Sequence, residues 1–240
     1  MQELTELARA PGLLVVDKPA GVDVTPPRRG GLSVEGLLAA RIGAGGPPRA
    51  VHRLDRDTSG CLAVALRASV HRALAAAFAA GAVGKDYLAV VAPAPEADQG
   101  VVRLPLAKRS SARSGWRMEP AAGGQPAETR WRVLALQGHS ALLLLTPVTG
   151  RTHQLRVHAR ALAEGAAIVG DPLYGRGERG GLMLHAFRLD LPFGGGRLCV
   201  SAPCPARFPD WARIAAGQMR EMPGSSDAIM AAAIRSGSMA

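Results

Sequence analysis

The sequence predicts an α+β fold built on a mixed, mostly antiparallel β-sheet, with flanking helices and loops around a central cleft. Candidate strands outnumber candidate helices, they come in runs rather than alternating with helices, and two of them flank a short turn as a hairpin. Repeating βαβ units would place a helical pattern between successive strands, which the chain does not do. At 240 residues with 48% hydrophobic side chains, the chain can bury a core without disulfide stapling.

The apolar run at 13–16 reads as a strand, stopped by Asp17-Lys18-Pro19-Ala20-Gly21. A Gly/Pro/Arg-rich loop at 26–31 leads to a helix at 33–42 with Ser33 as its N-cap. Six apolar residues at 61–66 read as a buried strand. Ser69 is expected to cap a helix running toward Ala80, which Gly81 ends. Residues 85–91 alternate as a strand, with weaker strand candidates at 102–106 and 116–119. The clearest hairpin joins 129–136 to 141–146 through Gln137-Gly138-His139-Ser140. A helix then starts near Thr152, with apolar Leu155, Ala159 and Leu162 on one side and Gly165 as its stop. Two last strands are read at 182–190 and 198–201, and a short helix at 210–216. Residues 1–216 form the expected domain; the tail at 217–240 has no sustained pattern and reads as disordered.

The formal net charge of +10 implies a polyanionic partner: RNA, DNA or anionic lipid. Lys18, Lys85 and Lys108 are the only lysines among 29 basic residues. Arginine suits forked contacts to phosphate and stacking on bases, though a bias toward Ala, Gly, Arg and Pro explains the preference equally well. No apolar stretch approaches the roughly 18 residues of a spanning helix, and the acidic N-terminus lacks the layout of an export signal, so a cytoplasmic location is expected. Cys61, Cys199 and Cys204 form no C-x-x-C, and no metal site is expected. A triphosphate-binding loop, a dinucleotide fingerprint and a G-x-S-x-G elbow are all absent.

Two polar clusters could carry chemistry. In His52-Arg53-Leu54-Asp55-Arg56-Asp57-Thr58-Ser59-Gly60, an extended entry would send Arg53 and Asp55 to one side and Leu54 to the other. A cation and a carboxylate would then reach one cleft, although the same residues could form a charged surface turn. In the second cluster, at 149–158, backbone N–H groups at a helix start beside Arg151 would hold phosphate or carboxylate. His153 and His158 are five positions apart, a poor spacing for metal ligands on a helix. Gly170-Asp171-Pro172-Leu173-Tyr174-Gly175 reads as a structural tight turn.

HRLDRDTSG at 52–60, together with GRTHQLRVH at 150–158, resembles the RluA-type pseudouridine synthases, which isomerise uridine in structured RNA. VDKPAGV at 16–22, KDYLAVV at 85–91, AETRWRVL at 127–134, VGDPLYG at 169–175 and LHAFRL at 184–189 extend the resemblance in the family's order over about residues 13–205. Cys61 stands where an aliphatic residue is common, and Leu191-Pro192-Phe193 runs into Gly194 without the usual His-Pro. With about twelve residues before the first motif, the chain reads as a compact form lacking an S4-type RNA-binding domain.

The resemblance implies a single catalytic domain that breaks the C1′–N1 bond of uridine, turns the base and joins C5 to C1′. No atom is lost, so no cofactor or metal is expected. Asp55 would be the essential carboxylate, as nucleophile or as base; Arg151 would pair with it; Tyr87 would stack on the flipped uracil and offer its phenol for proton transfer. Without the family match, Tyr87 would read as a core residue. Arg53 would fill the gap left by the flipped base, and RNA contacts fall to His52, Lys18, Arg56, His153, Gln154 and Arg156. The expected partner is rRNA or tRNA, bound by a monomer. Competing readings are a non-catalytic RNA-binding or ribosome-assembly protein and a nucleoside or glycoside hydrolase. The hydrolase needs a second carboxylate, for which Asp57, read as a turn residue, is the near candidate.

Overall fold

The computed structural model describes residues 4–28, 30–42, 46–111, 115–178 and 180–220. In chain order the elements are β1 (Thr5–Ala10), β2 (Leu13–Lys18), α1 (Val34–Ile42), β3 (Arg49–Ala50), β4 (Ser59–Ala65), α2 (Ala68–Ala79) and β5 (Gly84–Ala92). There follow β6 (Gln99–Arg103), β7 (Leu106–Ser111), β8 (Gly115–Pro120), β9 (Glu128–Gln137), β10 (Ser140–Pro147), α3 (Gln154–Ala159), β11 (Ala167–Ile168), β12 (Leu184–Phe193), β13 (Gly196–Ser201) and α4 (Asp210–Arg220). The large sheet runs β1-β2-β4-β12-β5-β10-β9-β6, with β3, β11 and β13 paired at β4, β5 and β12, while β7 and β8 form a separate two-stranded sheet. β4 and β12 run parallel, and the remaining ladders among the described residues are antiparallel. The expected mixed α+β architecture is what the chain forms.

Strand period explains how the sheet is covered on both faces. Leu13, Val15, Cys61 and Ala63 cluster with Leu74 of α2, while the alternate residues Leu14, Val16, Leu62 and Val64 cluster with Val34 and Leu38 of α1. The same division recurs further along. Leu88, Val90, Leu142 and Leu144 meet Ala212, Ala216 and Met219 of α4, whereas Ala89, Val91, Leu143 and Leu145 meet Leu155 and Ala159 of α3. Burial on both faces is why β4 is an unbroken apolar run rather than an alternating one. Cys61 fits that strand as a fully buried small apolar side chain.

Gly60 is required where β4 meets β12. It pairs with Ala186 at φ +111°, and a Cβ there would lie 2.2 Å from the Ala186 carbonyl oxygen. At the other end of β12, Leu191-Pro192-Phe193 belongs to a regular hairpin with β13, closed by Gly194 and Gly195 at φ 64° and 80°.

Several local expectations are corrected. Ser69 lies inside α2, whose N-cap is Arg67 without a side-chain cap bond. The run at 102–106 divides between β6 and β7 around Leu104-Pro105, where proline removes a ladder donor. α3 stops at Ala159, well before Gly165, and starts after His153, whose φ of 53° is left-handed. α4 continues through 217–220, with Met219 buried against the sheet; the rest of the expected disordered tail, 221–240, lies outside the described residues.

Candidate active site

The loop between β3 and β4 carries Asp55. Leu54 is buried against β2 and α1, which turns its neighbours Arg53 and Asp55 outward to the opposite side, as an extended entry requires. Thr58 N–H closes a turn onto the Asp55 carbonyl at 3.1 Å. Lys18 was expected to contact RNA, but it is fully buried. Its ammonium donates to the carbonyls of Pro19 at 2.9 Å, Val22 at 2.7 Å and Arg56 at 2.8 Å, which uses all three of its protons. Burial pulls its pKa down to about 8, against the raising influence of Asp57, Asp23 and Asp55. Lys18 is therefore the internal tie that holds the Asp55 loop to the end of β2. Arg56 stays exposed, and its Nε donates to the Gly21 carbonyl at 3.0 Å.

The cation beside Asp55 is Arg156, which corrects the expected pairing with Arg151. Arg156 Nη1 lies 3.4 Å from Asp55 Oδ2. Arg151 is exposed and donates its Nε to the Pro126 carbonyl at 3.0 Å. The backbone decides between the two arginines. Arg151 precedes the left-handed His153, whereas Arg156 sits within α3 on its fully buried run. A buried Arg156, engaged by two carboxylates, is also poorly placed for the RNA contact that the resemblance implies. Its Nε and Nη2 form a two-pronged pair with Asp171 Oδ2 and Oδ1, each at 2.8 Å. Burial opposes both charges. The mutual pairing outweighs it, leaving the Arg156 guanidinium more basic than usual and the Asp171 carboxyl more acidic than usual.

Gln154 is not an RNA contact either. It is buried, and its Oε1 accepts from Thr149 Oγ1 at 2.8 Å and Arg151 N–H at 2.9 Å. Its Nε2 donates to the Glu128 carbonyl at 2.9 Å and Thr129 Oγ1 at 3.0 Å. The Arg151 N–H expected to hold a phosphate is thus satisfied internally, and α3 is only six residues long.

His153 lies on the other side of Asp55, with Nε2 3.9 Å from Oδ2. A cleft of about 490 Å³ opens here, walled by Arg53, Asp55, Lys85, Tyr87, Arg151 and His153. A second concavity of about 630 Å³ shares Arg53, Asp55, His153 and Arg156 and adds Arg56 and Trp116. Asp55 therefore stands where two hollows meet. Tyr87 is half-buried on β5, and burial followed by the Asp55 charge raises its pKa, so the phenol keeps its proton at neutral pH. His52 stacks on Phe78 with ring centroids 4.7 Å apart and accepts the Ala63 N–H at Nε2 at 3.0 Å. Burial, then Lys85, lowers its pKa to about 3, making it a neutral wall of the cleft rather than a cation for phosphate.

A sequence model of the RNA pseudouridylate synthase family matches residues 12–161. The chain belongs to this family. The synthase is 45% identical over 202 residues to an uncharacterised RNA pseudouridine synthase of Zymomonas mobilis, covering 82% of this chain and 92% of that one. It is 38% identical over 211 residues to ribosomal large subunit pseudouridine synthase C of Yersinia pestis, covering 80% of this chain and 62% of the relative. Its fold matches the structure titled Human RNA Pseudouridylate Synthase Domain Containing 1 with a TM-score of 0.73 and 28% identity, over 93% of this chain and 97% of that one. These relatives support RluA-type membership and an isomerase activity on RNA. The chain spans nearly all of the Zymomonas protein but less than two thirds of the Yersinia one.

Four residues of the synthase's site escaped the sequence reading of function. Asp171 sits in what reads as a plain Gly-Asp-Pro turn, and its only signal is that a fully buried arginine elsewhere needs a partner. Lys85 lines the cleft, half-buried, with its pKa lowered by burial. Tyr174 and Trp116 both contact the His153 ring. Their sequence neighbourhoods, a turn and a weak strand, give no hint of it.

Proposed function

We propose that this synthase isomerises specific uridines in rRNA or tRNA, with Asp55 as the essential carboxylate acting at ribose C1′. The observation that carries the proposal is the placement of Asp55 at the junction of two hollows, beside the buried Arg156. A guanidinium at that distance stabilises the ionised carboxylate and limits its rotamers. Arg156 is in turn immobilised by Asp171, so the acid rests on a rigid support.

The target nucleotide must leave its stack, at a cost of a few kcal/mol. Arg53, exposed at the rim of both hollows, fills the vacated position with its planar cation. Tyr87 faces the everted uracil as a stacking surface and as a phenol that donates its proton. Arg151 and Arg56, exposed at the edges, take phosphates, which makes binding salt-sensitive. Isomerisation conserves every atom, so the reaction calls for no cofactor or metal; the enzyme is proposed to act in the cytoplasm as a monomer.

Asp55→Asn and Asp55→Ala should abolish pseudouridine formation in rRNA or tRNA transcripts while RNA binding persists in filter or gel-shift assays. Retained turnover in either variant removes Asp55 from the mechanism. Release of free uracil in place of pseudouridine would assign a hydrolase instead.

A further inference from the structure

Tyr174 touches both neighbours of Asp55, Arg156 and His153. The Arg156 guanidinium lies over its ring, 5.1 Å from the centroid, and the His153 ring meets it edge-on at 5.6 Å. Its hydroxyl oxygen is 2.9 Å from the Met118 N–H and 2.9 Å from His153 Nδ1. The Met118 N–H can only donate, so the oxygen accepts there, which leaves its own proton free for the histidine.

His153 has two neutral forms. With the proton on Nδ1, the lone pair of Nε2 would point at the Asp55 carboxylate 3.9 Å away, an arrangement of like electrostatic sign. With the proton on Nε2, an N–H faces that carboxylate, and Nδ1 becomes an acceptor that needs a donor. Tyr174 supplies that donor. The ring cannot swing away: Trp116 stacks on its face at 5.1 Å with planes 22° apart, and the residue's left-handed backbone fixes where the side chain begins. Burial also lowers the pKa of His153, despite the opposing Asp55 charge, which favours the neutral ring and makes its tautomer a real variable.

We propose that Tyr174 is a positioning residue that locks His153 as the Nε2–H tautomer, so that Asp55 is flanked by two N–H donors, Arg156 Nη1 and His153 Nε2. Proton positions run in one direction, from Met118 N–H to the Tyr174 oxygen, from Tyr174 O–H to His153 Nδ1, and from His153 Nε2–H toward Asp55. Met118 and Trp116 both belong to β8, beside the basic residues Lys108, Arg109 and Arg117 of the same ribbon. The ribbon thus reaches the acid through two side chains. This assignment rests on the reading of Asp55 as the catalytic carboxylate.

The test uses full-length protein labelled with 15N-histidine. Its six histidines give a resolvable spectrum, and His153→Gln assigns the signal. The ring nitrogen shifts of His153 should report a protonated Nε2 and an unprotonated Nδ1 in the wild type, and a mixture of both tautomers in Tyr174→Phe. In the same variant, kcat for pseudouridine formation should fall about tenfold while KM for RNA stays within about twofold, a split that general loosening of the fold would not give. A wild-type spectrum with the proton on Nδ1 overturns the proposal even if Tyr174→Phe fails to fold, and so does an unchanged kcat in a folded variant. Full activity in Asp55→Asn would instead overturn the catalytic reading, while the tautomer result would stand by itself.

Discussion

Replacing Asp171 by Asn tests how the acid is supported. The carboxylate is fully buried and accepts four hydrogen bonds, two from Arg156 at 2.8 Å and two from the backbone N–H groups of Leu173 at 2.8 Å and Tyr174 at 2.9 Å. Asparagine can retain the three bonds at Oδ1, but its NH2 then opposes Arg156 Nε–H, donor against donor, and the charge is gone. Removing one partner of a buried ion pair costs about 3–5 kcal/mol. The three retained bonds place this case near the lower end. In a chain of this size each kcal/mol moves Tm by about 2–4 °C, so a fall of roughly 6–12 °C is expected in a calorimetric melt at pH 7. The double variant Arg156→Met/Asp171→Asn removes the stranded cation and should regain much of that stability, because an apolar replacement relieves the desolvation cost. It should nonetheless stay inactive, since Asp55 has lost its cation. A Tm within about 2 °C of wild type in the single variant would refute the reasoning, as would activity regained together with stability in the double one.

Other outcomes follow from particular contacts. His185 is fully buried, with burial, then Arg207, depressing its pKa from the ordinary 6.5 to about 3. The unfolded chain takes up this proton as pH falls through 6.5 and the folded one does not, so stability present at pH 7 is lost below about 6.5, by about 2 kcal/mol between pH 7 and 5. Denaturant titrations at the two pH values should show His185→Gln losing that share of the slope; an equal slope would contradict it. Gly60→Ala, whose Cβ would collide with the Ala186 carbonyl, should cost more than about 4 kcal/mol and leave little folded protein in a solubility assay. Lys18→Met takes the donor from one buried carbonyl, Val22, and two part-buried ones, Pro19 and Arg56, costing about 1 kcal/mol or more at the buried bond and lowering both Tm and kcat, whereas an unaltered melt would make the tie dispensable. Arg151→Ala should preserve kcat at saturating RNA, weaken binding and reduce the slope of log K against log salt by about 1; a collapse of kcat instead would restore Arg151 to the chemistry.

The strands that read clearly from sequence are those whose neighbours leave them no choice. β4 and β10 are apolar on both faces because helices cover both, and α1 announces itself through the Ser33 hydroxyl, which accepts the Gly36 N–H at 3.1 Å. β1 was missed because TELARA has the composition of a helix; pairing with β2 at the edge of the sheet overrides that propensity, and a bulge between Glu6 and Ala8 blurs the alternation. In the site, Asp55 and Arg53 were legible because buried Leu54 between them sets their direction. The Asp55 partner was not. Arg151 and Arg156 flank the same helix start, and only the left-handed turn at His153 decides which one reaches a loop 101 positions away. Asp171 was hidden for a related reason, since its role is defined by an arginine fifteen positions earlier in the chain.

The ribbon of β7 and β8 shares no ladder with the large sheet; it is held by the bridge from Leu106 to Gln125 in the following loop, by the Tyr174 hydroxyl at Met118 and by the Trp116 ring stacked on His153. Its hydrogen-bond ladder is its own, so insertions or charge changes toward its far end need not disturb a single rung of the eleven-stranded scaffold. What the ribbon does share with the rest of the chain is side-chain contact, so a change in its length or twist would be felt first at His153 and Tyr174 and not in the sheet.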